Sequence, residues 1–116
     1  MITVYGISNC DTVRKTGRWL TDAGLPWTLH DYRKQGVDAA LVDTLLEQFG
    51  ESVLLNRRGT TWRQLEASEQ QEAESRQGLV SLLLKYPAMI KRPIVKTADQ
   101  QWLIGYGSIV EHFSAG

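Results

Sequence analysis

The chain holds a single nucleophilic sulfur. Cys10 is the only cysteine in 116 residues and lies in the stretch YGISNCDTVRKTGRWL. The residues before it read as a strand and those after it as a helix, which puts the thiol at a helix N-terminus. There, unpaired backbone N–H groups and the positive end of the helix dipole favour the thiolate. Arg14, one turn into the same helix, adds a fixed positive charge on about the same face. A thiolate is a nucleophile and a thiol is not, so both features raise reactivity at neutral pH. The competing reading is a small buried hydrophobe, which is how most free cysteines behave. Other groups able to handle an anion come in separate basic clusters: Arg14, Lys15 and Arg18; Arg57, Arg58 and Arg63; Lys91 and Arg92. Two such clusters brought together would form an anion site in a protein whose 13 basic and 13 acidic side chains cancel.

The elements that must position these groups follow from periodicity. MITVYGI alternates apolar and polar residues up to Gly6, the pattern of a short strand. Asp11 or Thr12 can cap the helix that follows, with Val13, Thr16, Gly17, Leu20 and Ala23 at helical spacing and a stop at Gly24 and Pro26. WTLHDY, Trp27 to Tyr32, is a second strand, and a strand, helix, strand order of this length implies parallel pairing through a right-handed crossover. After an RKQG turn, Asp38 caps a helix with Leu41, Val42, Leu45, Leu46 and Phe49 on one face, ended by Gly50. A helical insertion is expected over about 51–90: a turn at Glu51–Asn56, a loop at RRGTT, a capping box from Ser68 to Gln71, and a leucine-rich helix from about Gln77 that stops near Tyr86 because Pro87 follows. KRPIVKT and QWLIG then form a hairpin around Asp99. A second capping box, Ser108 with Glu111, opens a closing helix with Ile109, Val110 and Phe113 facing inward.

Length and composition restrict the function classes. One domain over 1–116 is expected, with enough residues for a modest core without disulfides or a structural metal. With one cysteine and no leader pattern, the expected compartment is the reducing cytoplasm. The apolar runs are too short for a membrane span. Zero net charge gives no reason to expect nucleic acid, so Trp19, Trp27, Trp62 and Trp102 read as core or groove lining rather than as a stacking platform for bases. His30 and His112 lack metal-ligand spacing, and no metal is expected. The acids from Glu69 to Glu74 read as a solvated helix face.

Three segments in this order, NCDTVRK, SVLLNRRG and KRPIV, together with the βαβα, helical insert, ββα pattern, resemble the ArsC/Spx family of glutaredoxin-coupled arsenate reductases, and within it the YffB-like branch. The resemblance runs from end to end. It implies an α/β thioredoxin-like fold with a four-stranded mixed sheet. It places Cys10 at the nucleophile and Arg14 at the arginine of the cysteine loop. Arg92 falls at the arginine that binds an oxyanion or thiol substrate, and Pro93 at the cis proline beside the thiol. It also implies that Arg57 or Arg58 takes part in holding an anionic ligand.

Departures from the family pattern shape the functional expectation. Asn56 stands where arsenate reductases have an arginine, their hairpin arginine falls near Ile104 and Gly105, and their histidine ahead of the cysteine corresponds to Gly6. An arsenate ester needs several fixed positive donors. Val13 stands where many Spx regulators have a second cysteine, so disulfide chemistry must use an outside thiol. The function expected is therefore a glutathione-dependent thiol reductase, with glutathione as co-substrate, no tightly bound cofactor, and glutaredoxin as a further partner. The alternatives are an arsenate reductase using glutathione and glutaredoxin, and an Spx-like regulator that binds RNA polymerase.

Overall fold

A computed structural model describes residues 1–115. In chain order the first elements are β1 (Ile2–Gly6), α1 (Asp11–Asp22), β2 (Trp27–Asp31), α2 (Tyr32–Gln35), α3 (Ala39–Phe49) and α4 (Glu51–Leu54). There follow α5 (Thr60–Gln64), α6 (Ala67–Glu72), α7 (Arg76–Lys85), a 3₁₀ turn (Pro87–Met89), β3 (Ile94–Lys96), β4 (Trp102–Ile104) and α8 (Tyr106–Ser114). They divide into two units, one running to Gln35 and resuming at Arg92, the other spanning Gly36–Lys91.

The first unit is built on a four-stranded mixed sheet in the order β2-β1-β3-β4. β1 and β2 are parallel, with Ile2 opposite Trp27 and Gly6 opposite Asp31. β3 runs antiparallel to both β1 and β4, with Tyr5 opposite Ile94 and Ile94 opposite Ile104. Alternation along β1 sends Ile2 and Val4 into a core with Val13, Leu20, Val95 and Ile109. Full burial of an aliphatic side chain of this size stabilises by roughly 1.5–3 kcal/mol. Trp19, Trp27, Leu29, Leu103 and Phe113 pack around that core.

Two glycines set the approach of α1 to the sheet. A Cβ on Gly6 would come within 2.5 Å of Val13 Cγ2, and one on Gly17 within 2.5 Å of the Trp27 ring. Strand β1 can therefore run out under the first turn of α1 only because position 6 has no side chain. Opposite in chemistry, the Lys15 ammonium lies 4.3 Å from the Tyr106 ring centroid and ties α1 to α8.

The second unit is helical. Asp38 caps α3 by accepting from the Leu41 N–H at 2.8 Å, and α3 packs on α7. Val42, Leu45, Leu46, Leu79, Leu82 and Leu83 are buried. An antiparallel bridge joins Leu55 to Ile90, with Asn56 N donating to Met89 O and Lys91 N to Leu54 O, each at 2.8 Å.

Several local expectations are corrected. The helical unit also takes in α3 and starts at Gly36, while the expected insertion over about 51–90 holds α4 to α7 and the 3₁₀ turn. The RKQG turn is mostly the short helix α2, and the RRGTT loop runs into α5. Neither capping box forms. Glu66 is the N-cap of α6, so Ser68 already lies inside the helix. α8 starts two residues before Ser108, capped by Gly105 at φ 89°, a left-handed conformation that glycine adopts without steric cost. Among the described residues no helix is long and apolar enough to cross a membrane.

Candidate active site

The topology brings the cysteine and one arginine together. β1 delivers the chain to a short loop, Ile7 to Cys10, closed by Cys10 N donating to Ile7 O at 3.1 Å. Because β3 is antiparallel to β1 and starts opposite Tyr5, the residues just before β3 lie beside the end of β1. Those residues are Arg92 and Pro93, joined by a cis peptide bond, as the resemblance implies. Gly105 N donates to Pro93 O at 2.9 Å and fixes the strand entry from the β4 side.

Cys10 is itself the N-cap of α1, in extended conformation with φ −92° and ψ 127°; neither Asp11 nor Thr12 takes that place. An N-cap side chain faces the N–H groups of the second and third helical residues, which here are Thr12 and Val13. The neutral thiol makes no close cap bond, but the same amides favour its anion. Burial of the partly exposed sulfur opposes ionisation. Against it act the Val13 amide, a hydrogen bond from Arg92, the Thr12 amide and the Arg92 charge, and together they hold Cys10 below its ordinary value. Arg14, expected to act on the thiol, lies one turn into α1. Its guanidinium is exposed and forms an ion pair with Asp11 in the same turn, and the cation acting on the thiol is Arg92.

Arg57 and Arg58 belong to the helical unit. Arg57 donates to Glu51 Oε1 at 2.8 Å and lies 5.4 Å from the Trp62 ring centroid. The backbone N–H of Arg58 donates to Asn56 Oδ1 at 3.1 Å, so Asn56 shapes this turn. Arg58, Arg57, Asn56, Ser52 and Lys91 line an open cleft with no acidic side chain. His30 stacks near Tyr5, ring centroids 5.0 Å apart, and His112 lies against Phe113 at 4.9 Å.

Two residues at the end of β2 were missed from sequence. Asp31 is buried, 3% exposed, and its carboxylate accepts from Ser8 N at 3.3 Å and Arg33 N at 2.9 Å. Burial pushes this carboxyl up, but the hydrogen bonds from Arg33, Ser8 and Lys34 outweigh it and leave its pKa lowered. Tyr32 is equally buried and its hydroxyl has no hydrogen-bond partner among the described residues. Burial, with a smaller contribution from Tyr5, raises its pKa, and Arg92 opposes the rise. One signal was available: parallel strands release their chains at the same edge, and sites in such sheets gather at the carboxyl ends. Asp31 ends β2 beside the point where the cysteine loop leaves β1.

The ArsC family model matches residues 5–109. An uncharacterized protein of Haemophilus influenzae is 45% identical over 106 residues, 91% of each chain. Among solved structures, a YffB protein is 29% identical with a TM-score of 0.87, covering 99% of this chain and 97% of its own. An arsenate reductase (ArsC) related protein from Brucella melitensis is 36% identical with a TM-score of 0.75, covering 97% and 93%. With the cysteine loop, the cis proline and the mixed sheet in the arrangement the resemblance implies, and with the family model spanning nearly the whole sequence, the chain belongs to the ArsC family.

Proposed function

We propose that this protein is a glutathione-dependent thiol reductase acting through Cys10. The observation that carries the reading is the thiol at the N-cap of α1, facing helix amides and Arg92, with its pKa held down. In the reaction the Cys10 thiolate attacks the glutathionyl sulfur of a mixed disulfide and expels the substrate thiolate, which takes a proton from solvent. Cys10 is left joined to glutathione. The thiolate of a second glutathione attacks that sulfur, forms glutathione disulfide and restores the Cys10 thiolate. In the balance one free glutathione is consumed per turnover: the mixed disulfide and glutathione give the substrate thiol and glutathione disulfide, and Cys10 is unchanged. Arg92 favours the thiolate at the start and again when it leaves in the second step.

Glutathione suits this chain for two reasons. The chain has no second cysteine to resolve the intermediate internally, and the carboxylates of glutathione match guanidinium groups. Arg92, which bonds the thiol, is the cation we assign to the ligand; within the helical unit Arg57 is held by Glu51, which leaves Arg58 as that unit's candidate for an anionic group. Arg14 contributes through its pairing with Asp11 at the start of α1.

Intact mass spectrometry after mild treatment with oxidised glutathione tests the reading. One glutathione adduct on the folded protein, absent in Cys10→Ser, is the expected result. A folded protein that takes up none would remove the mechanism.

A further inference from the structure

We infer that Asp31 is a positioning residue for Cys10: its buried carboxylate anchors the cysteine loop and so aligns the thiol with the first amides of α1. The inference rests on the reading of Cys10 as a reactive thiolate. The amides of Thr12 and Val13 can favour the anion only while the loop holds Cys10 in its extended N-cap conformation. That loop has one internal tie, Cys10 N to Ile7 O. It is tied to the end of β2 by Ser8 N donating to Asp31 Oδ2 at 3.3 Å, a contact between residues 23 apart in sequence. The Ser8 side chain is also hydrogen-bonded to that carboxylate, while Arg92 bonds Cys10 itself. The other carboxylate oxygen accepts from Arg33 N at 2.9 Å, and the Asp31 N–H donates to Gln35 Oε1 at 2.8 Å. Asp31 is thus locked into the β2 to α2 corner and presents one oxygen to the loop. Since β1 and β2 are parallel and Gly6 is opposite Asp31, the anchor sits where the loop departs.

Charge and position make opposite predictions, which allows a clean test. If Asp31 acted on the thiol only as a nearby negative charge, its removal would favour the thiolate. If it acts by holding the loop, its removal lets Cys10 drift from the amides and disfavours the thiolate. Asp31→Asn keeps the shape and has one acceptor oxygen. The shorter Arg33 bond keeps that oxygen, so the new NH₂ group meets the Ser8 N–H donor against donor and the backbone tie is lost, leaving the Ser8 hydroxyl as the group it can donate to.

The experiment is the rate of Cys10 alkylation by iodoacetamide against pH in wild type and Asp31→Asn, with circular dichroism to confirm folding. The expected result is a midpoint raised by about one unit, equivalent to nearly tenfold less thiolate below the midpoint. A purely structural role would lower the melting temperature and leave the midpoint of the folded protein unmoved. An unmoved or lowered midpoint overturns the inference. A wild-type midpoint at the free-thiol value overturns both this inference and the reading of Cys10 beneath it, whereas a depressed wild-type midpoint leaves Asp31 alone on trial. If Asp31→Asn does not fold, amide exchange in the wild-type protein decides: protection of the Ser8 N–H supports the anchor, and exchange at the unprotected rate overturns it.

Discussion

Cys10→Ser reduces turnover of a mixed disulfide between glutathione and a small thiol to the uncatalysed rate. A serine hydroxyl is not ionised at neutral pH and has no sulfur to form the intermediate, and no other cysteine can substitute. Arg92→Ala has a graded effect. Hydrogen bonds to charged groups contribute about 1.5–3 kcal/mol, and solvent at the partly exposed sulfur moves the value to the low end, about one pKa unit. The thiolate fraction at neutral pH then falls by up to about tenfold. The remaining thiolate is more nucleophilic, since reactivity rises with thiol pKa with a coefficient of about 0.4–0.5. The net expectation is a loss of about three- to fourfold for attack by Cys10, read as the initial rate with saturating glutathione. Arg14→Ala, which removes a cation already paired with Asp11, should change the same rate much less. Equal effects for the two arginines would contradict the assignment of Arg92.

Arsenate should be a poor substrate, by about two or more powers of ten relative to a dedicated reductase. In the family pattern an arginine stands at position 56 and another in the hairpin. Here Asn56 Oδ1 is occupied by the Arg58 N–H, and the hairpin place falls on Ile104 in β4 and Gly105 at the cap of α8. Two charged donors at about 1.5–3 kcal/mol each amount to at least two powers of ten in transition-state stabilisation when their effects add. Arg57 is not a ready replacement, being paired with Glu51 and lying beside Trp62. The assay is glutaredoxin-coupled arsenate reduction run beside reduction of the glutathione mixed disulfide. Arsenate turnover at the level of a dedicated reductase, lost in Cys10→Ser, would return the protein to arsenate detoxification.

Local signals in the sequence held where chemistry and geometry were local. The Asp38 cap, the stops at Gly24 and Gly50, the end of α7 ahead of Pro87 and the hairpin around Asp99 each depend on a few neighbouring residues. Both capping boxes failed because their helices start earlier than the box residues: Glu66 is the N-cap of α6, ahead of Ser68, and α8 begins where β4 turns out at Gly105, ahead of Ser108. The thiol was legible as a helix N-terminal residue. Its cation was not, because Arg14 is near in sequence while Arg92 arrives through the antiparallel pairing of β3 with β1. Asp31 was hidden for the same reason. A carboxylate at the end of a strand looks like a turn residue until the neighbouring loop brings it an N–H donor.

The alkylation rate of wild-type Cys10 by iodoacetamide as a function of pH tests the central claim most directly, because it reports the thiolate itself, independently of any substrate. With the Val13 and Thr12 amides and Arg92 prevailing over burial, the midpoint should lie clearly below the free-thiol value of about 8.5. A midpoint at or above that value would mean that Cys10 is packing material and that the chemistry proposed for it does not occur.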